Sequence, residues 1–216
     1  MKKLVSMASA LILVSSLMAA APASAAISCK ASSAKGKTVK SPGAPAAVLK
    51  TFPKTFTITT NCGVIGIQPF GDKAPLTVTS FAHLASKKYF DNTICHRLTT
   101  EGIYVLQCGD PSATGAGKSF YQFKDENLPK GVTNNYPAGS VAMANSGPGT
   151  NFSQFFLVYK DTTLGPNYTI WGKITSGLDV VQYIAKQGLG PKQGSGEPAN
   201  PGDSMPKQKV EIISFR

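Results

Sequence analysis

Asn145-Ser146-Gly147-Pro148-Gly149-Thr150-Asn151-Phe152-Ser153-Gln154-Phe155-Phe156-Leu157-Val158-Tyr159 is the stretch on which the reading of this chain turns. Its first half is turn chemistry, with Gly, Pro, Asn and Ser close together. Its second half is an apolar strand with a glutamine at its entrance. A buried amide without a partner is costly, so Gln154 needs either a protein partner or a ligand. Side chains alternate along a strand, so Gln154 and Phe156 share a face.

Working outward, short strands are broken by turns. Thr55 to Thr59 alternates, Asn61-Cys62-Gly63 is a hairpin turn, and Val64 to Ile67 returns. Pro75 to Val78 opens a helix with Val78, Phe81, Ala82 and Ala85 at helical spacing and Thr77 as its expected cap. Ile94 to Leu98 and Ile103 to Cys108 are strands joined by the turn Thr99 to Gly102, and a Gly-rich stretch runs from Gly109 to Pro137. Strands follow at Ser140 to Ala144, Phe155 to Tyr159 and Thr169 to Ile174. Leu178, Val181, Ile184 and Ala185 mark a second helix that Gly188 can end. A Pro- and Gly-rich loop from Gly188 to Pro206 leads to the last strand, Val210 to Phe215. Seven or eight antiparallel strands with two helices predict a mainly β fold, a closed barrel with helical plugs that leaves no sheet edge open.

The ends of the chain read differently from its middle. Residues 1–25 have a short basic start, an apolar run and Ala23-Ser24-Ala25, the pattern of a cleaved secretory signal peptide. Residues 26–50 are small, Pro-containing and lysine-rich, the composition of a flexible basic linker. The remaining domain is 51–216. The net charge of +11 belongs mostly to the tail, because residues 26–54 carry six lysines and no acid. From Thr55 onward 14 basic residues face 11 acidic ones, which argues against nucleic acid as a partner. All four cysteines, Cys29, Cys62, Cys95 and Cys108, lie in the exported part, where disulfides can form; their spacing does not suit zinc.

Several chemistries are missing from the sequence. There is no nucleotide-binding glycine motif, no Walker lysine and no nucleophile elbow. Of the two histidines, His83 falls in the first helix with a packing or surface role. His96 is expected to be structural, with its ring hydrogen-bonded inside and facing away from Arg97. What remains is a set of polar residues embedded in apolar sequence: Arg97, Gln107, Asn145 and Gln154. They imply a polar-edged apolar cleft.

The same residues carry a resemblance. Cys95-His96-Arg97, Tyr104 to Asp110, Thr114-Gly115-Ala116-Gly117, Asp125-Glu126-Asn127, Met143 to Phe156 and Trp171-Gly172-Lys173 occur in the order found in cyclophilin-type peptidyl-prolyl cis-trans isomerases. The chain resembles that family over most of Thr55 to Phe215. The resemblance implies an eight-stranded antiparallel barrel capped by two helices, and an enzyme that needs no cofactor. It implies Arg97 as the catalytic arginine and Gln107 as the glutamine that hydrogen-bonds near it. Tyr104 and Val105 are implied as apolar walls. Ala144 and Asn145 supply backbone that grips the residues before the substrate proline. Gln154 holds the substrate backbone, and Phe156 and Leu164 form the floor and side of the proline pocket. Tyr168 stands where many members have histidine.

Some positions depart from the family pattern. The turn Thr99 to Gly102 is two residues longer, Cys95 replaces an aromatic residue and Cys108 replaces a glycine. Thr163 stands where some members carry tryptophan, which implies weak binding of the family's cyclic-peptide inhibitor. Cys95 and Cys108 lie on strands joined by one turn, and a disulfide between them is expected. The expected partners are proline-containing peptides and unfolded exported proteins, acted on by a monomer without a membrane span once the signal is removed. The expected location is extracellular or at the cell envelope. The alternative is a non-catalytic chaperone or scaffold module that binds proline peptides.

Overall fold

The computed structural model describes residues 26–117, 120–191 and 201–216. The expected signal peptide, residues 1–25, lies outside them. Ten strands form one antiparallel sheet in the order β3-β10-β1-β2-β8-β6-β7-β5-β4-β9. In chain order the elements are β1 (Phe56–Thr60), β2 (Gly63–Pro69), α1 (Pro75–Ser86), β3 (Thr93–Ile94), β4 (Arg97–Thr99), β5 (Val105–Cys108), β6 (Ser140–Met143), β7 (Phe155–Val158), β8 (Ile170–Ser176), α2 (Leu178–Lys186), β9 (Asp203–Ser204) and β10 (Glu211–Phe215).

The count of ten reconciles with the expected eight. β3 and β4 are two halves of one bent strand: β3 pairs with β10, while β4 pairs with β5. At the bend, the Cys95 N–H donates to the Val210 carbonyl and the His96 N–H to the Gln107 carbonyl. One short segment thus bridges the two ends of the curled sheet, and it carries Arg97. The other addition is β9, a two-residue strand inside what the sequence reads as a loop.

Alternation sorts the strands into an inner and an outer face. Inward go Leu106 and Cys108 of β5, Val141 and Met143 of β6, and Phe155 and Leu157 of β7. They meet α1 in an aromatic core, where Phe81 stacks on Trp171 at 4.1 Å between ring centroids and Phe90 packs on Phe215 at 4.9 Å. Each such ring, fully buried, contributes about 2–3 kcal/mol. Outward go Val105, Ala142, Phe156 and Val158, which form a second, smaller cluster with Tyr136.

α1 starts at Pro75, whose missing N–H costs nothing in the first turn. Thr77 does not cap it through its own side chain. The Glu126 carboxylate accepts from the N–H groups of Leu76 (3.0 Å) and Thr77 (2.9 Å) and from the Thr77 hydroxyl (2.9 Å). A negative charge there also suits the positive end of the helix dipole. At the other end of the fold, Gly188 follows α2 with φ +82°, as a terminating glycine should.

The lysine-rich segment is not a free linker. Cys29 is disulfide-bonded to Cys62 in the β1–β2 turn, a pairing the sequence left open. The Lys30 N–H donates to the Asn61 carbonyl at 2.8 Å, and the Lys37 N–H donates to the Pro111 carbonyl at 2.7 Å. His83 on α1 donates through Nε2 to the carbonyls of Pro42 (3.1 Å) and Gly43 (3.0 Å). Ile27, Val39 and Phe52 pack against the core. Composition alone reads as linker because a disulfide and backbone hydrogen bonds supplement the sparse apolar contacts of this strap.

Candidate active site

The site is built from register. Arg97 on β4 is the cross-strand partner of Gln107 on β5, Gln107 of Phe156 on β7, Phe156 of Ala142 on β6, and Ala142 of Ile170 on β8. Five side chains therefore stand in one row across the outer face. A slip of one residue in any of these pairs would turn its side chain inward. The Cys95–Cys108 disulfide joins the strands directly behind Arg97 and Gln107, as expected.

A hydrogen-bond chain runs along the polar half of the row. Arg97 Nη1 donates to Gln107 Oε1 at 3.1 Å. Gln107 Nε2 donates to Gln154 Oε1 at 2.8 Å, and Gln154 Nε2 donates to the Gly115 carbonyl at 2.9 Å. A cation at one end and a carbonyl at the other leave each amide only one orientation. On its far side Arg97 is gripped by Asp203, with Nε to Oδ1 at 2.8 Å and Nη2 to Oδ2 at 2.7 Å. Hydrogen bonding to Asp203 raises the guanidinium pKa further, so its charge is permanent. Among the described residues three of its five N–H groups are used, which leaves one on Nη1 and one on Nη2.

The apolar half lies beyond Phe156. Tyr168 meets Phe156 edge-on at 5.7 Å and Tyr136 lies 6.1 Å away. Val105 and Leu164 complete this cluster. Leu164 is held by Asn135, which donates to its carbonyl at 2.7 Å and accepts from its N–H at 3.0 Å. The Tyr136 hydroxyl accepts from the Tyr168 N–H at 3.0 Å, and burial pushes its pKa up to about 12. Thr163 is exposed at the edge, where its hydroxyl accepts from the Asn134 N–H at 2.9 Å.

On the other side of Gln154 is a polar cavity of about 320 Å³, lined among others by Gln107, Asp110, Ala144, Asn145 and Thr150. The Asn145 side chain is spent on structure: Nδ2 donates to the Asn167 carbonyl at 2.9 Å and Oδ1 accepts from the Gly147 N–H at 3.2 Å. Among the described residues its backbone N–H and C=O have no partner, whereas the Ala144 N–H donates to the Gln154 carbonyl at 2.9 Å. Asp110 orders the cavity wall by accepting from the N–H groups of Gly115 (2.8 Å) and Gly117 (3.1 Å). A Cβ on Gly117 would sit 1.9 Å from Asp110 Oδ1, so only glycine fits. Asp125 ties down the 145–151 loop by accepting from Gly149 N–H at 3.0 Å and Asn151 Nδ2 at 2.7 Å.

Two expectations differ. Tyr104 is not beside Phe156; it points to the opposite face from Val105 and packs edge-on to Tyr159 at 6.0 Å, with Lys160 Nζ 4.2 Å from its ring centre. His96 sits at the bend before β4, where strict alternation lapses. Its ring lies beside Gly115, and among the described residues neither nitrogen has a hydrogen-bond partner. Burial lowers its pKa and favours the neutral ring. Asp203, Asn135 and Tyr136 went unread in the sequence. The first looks like a solvated loop acid, and the other two find their side-chain partners about 30 residues later, at Leu164, Gly165 and Tyr168.

A profile of the family described as cyclophilin type peptidyl-prolyl cis-trans isomerase/CLD matches residues 55–216. The chain belongs to that family. It is 42% identical over 189 residues to a probable peptidyl-prolyl cis-trans isomerase B of Mycobacterium tuberculosis, covering 82% of this chain and 57% of the relative. The corresponding Mycobacterium leprae protein is 46% identical over 151 residues, 65% of this chain and 51% of the relative. This cyclophilin thus spans about half the length of those mycobacterial relatives. A crystal structure of a Cryptosporidium parvum cyclophilin superimposes with a TM-score of 0.59 at 26% identity, covering 75% of this chain and 95% of that one. A second structure of that protein, determined in the presence of the dipeptide Ala-Pro, gives 0.60 at 25% identity, with 74% and 96% coverage.

Proposed function

We propose that this cyclophilin is a peptidyl-prolyl cis-trans isomerase acting on exported proteins. The observation that carries the reading is the row in which a fixed guanidinium, an oriented glutamine and an aromatic floor stand side by side, with Gln154 hydrogen-bonded to that glutamine. Isomerisation breaks no σ bond; its barrier of about 18–20 kcal/mol is the amide resonance lost on twisting. As the amide twists, the proline nitrogen becomes pyramidal and gains a lone pair. The outer N–H groups of Arg97 donate to that nitrogen and stabilise the twisted form over either planar one. A rate gain of about 10⁵ corresponds to roughly 7 kcal/mol of such differential binding. Phe156, Leu164, Val105 and Tyr168 receive the ring, whose burial is worth about 1.5–3 kcal/mol. The Asn145 backbone and Gln154 hold the residues before proline, so one side of the bond turns against a fixed other side. A binding-only module would have no use for a guanidinium locked at this place.

Export is supported by the cysteines, all four of which are paired, the chemistry of an oxidising compartment. Clients are then proline-containing chains folding outside the cytosol. A protease-coupled assay on an Ala-Pro peptide tests the reading. Wild type should accelerate the slow cis-to-trans phase and Arg97→Ala should lose most of that gain while remaining folded. A folded wild type without effect on several Xaa-Pro peptides contradicts it.

A further inference from the structure

Arg97 owes its place to an element that the sequence reads as loop. The Thr99–Gly102 turn, longer than the family pattern, offers backbone to the returning chain: Leu98 pairs with Ser204, Thr99 with Asp203, and the Thr100 N–H donates to the Gly202 carbonyl at 2.9 Å. This pairing sets Asp203 opposite Thr99, the diagonal neighbour of Arg97 on the same face. Its carboxylate meets the Nε–Nη2 edge of the guanidinium in a two-point fork.

We propose that Asp203 is a positioning residue of the isomerase reaction, fixing the guanidinium plane so that its two remaining N–H groups face the cleft. The proposal rests on the isomerase reading of Arg97. Without Asp203, Arg97 keeps one side-chain partner among the described residues, Gln107, through a single hydrogen bond. A single bond is a pivot about which the guanidinium plane turns, whereas a fork is not. A carboxylate also offsets part of the positive charge, which opposes catalysis. That cost is screened, because both side chains are partly open to solvent, at 39% for Arg97 and 43% for Asp203. Orientation therefore outweighs neutralisation. The same exposure means that the pair adds little to folding stability, so its loss leaves the fold intact.

The test is Asp203→Asn, which keeps the shape but removes the second acceptor and the charge. The expected result is a kcat about tenfold lower with KM within about twofold, the signature of an interaction needed in the twisted state. Asp203→Glu should recover most of that loss, because the site is open enough for the longer chain. In the Arg97→Ala background Asp203→Asn should cost nothing further, since it acts through the missing guanidinium. The Arg97 Nε–H NMR signal of the full chain gives a second readout, sharp in wild type and broadened by solvent exchange in Asp203→Asn. An unchanged kcat in Asp203→Asn, or the same fold-loss with and without Arg97, overturns the proposal. If the wild-type chain itself shows no turnover, the isomerase reading fails instead, and an Arg97 Nε–H signal unchanged by Asp203→Asn would then overturn the positioning.

Discussion

Replacing Asn135 with alanine should weaken substrate binding without slowing the bound step. Asn135 touches no substrate in this account. Its buried amide acts as a strand partner for one residue, donating to the Leu164 carbonyl at 2.7 Å and accepting from the Leu164 N–H at 3.0 Å. Each bond contributes about 0.5–1.5 kcal/mol net, so the pair holds the 163–168 loop by about 1–3 kcal/mol. Alanine removes both partners and frees Leu164, which packs against the Phe156 cluster. The row from Arg97 to Phe156 is carried by strand pairs and stays in place. The loss therefore falls on the proline pocket, equally for planar and twisted substrate. An effect of about 1.4 kcal/mol raises KM about tenfold with kcat nearly unchanged. Urea unfolding and a substrate-concentration series in the coupled assay read both numbers. A fall in kcat at constant KM would instead mean that the loop acts on the twisted state and not merely on the pocket wall.

Acid should destabilise the chain partly through His96. Burial lowers the pKa of its ring in the fold below the ordinary 6.5, so the unfolded chain takes up the proton first. Its contribution is intact above about pH 6.5 and shrinks as pH falls through the folded pKa. His96→Leu should flatten the loss of stability between pH 7 and 5 measured by urea unfolding, and an unchanged slope would refute the assignment. The strap should depend on its disulfide: Cys29 and Cys62 are 33 residues apart, a closure worth about 3–4 kcal/mol in the chain-entropy model. The double variant Cys29→Ser/Cys62→Ser should open residues 26–54 to limited proteolysis and keep residues 55–216 folded; a strap that stays resistant would show that the hydrogen bonds suffice.

The sequence was most legible where chemistry is local. Alternation in β5 and β7 is enough to send Gln107, Gln154 and Phe156 to one face, and the structure adds only the register that aligns them with Arg97. Cys95 and Cys108 flank a single turn, and so their pairing was readable. The misses are non-local. Thr77 looks like a helix cap, but Glu126, 49 residues later, does the work. Asp203 is 106 residues from Arg97, in a stretch whose composition says only loop. Tyr104 matches a wall position by order along the chain, but as the neighbour of Val105 it faces the other way. The strap reads as a linker because lysine, proline and small residues report weak burial and say nothing of a disulfide partner or of backbone hydrogen bonds.

Arg97 is expected to lower the twisting barrier of an Xaa-Pro bond. Exchange NMR on an Ala-Pro peptide at equilibrium, with a catalytic amount of the chain and no protease, measures cis–trans interconversion directly. Exchange cross-peaks are expected with wild type, and their loss with Arg97→Ala while the peptide still shifts the amide signals around Phe156 and Asn145. Cross-peaks of equal strength with Arg97→Ala, or none with a wild type that binds the peptide, would contradict that role.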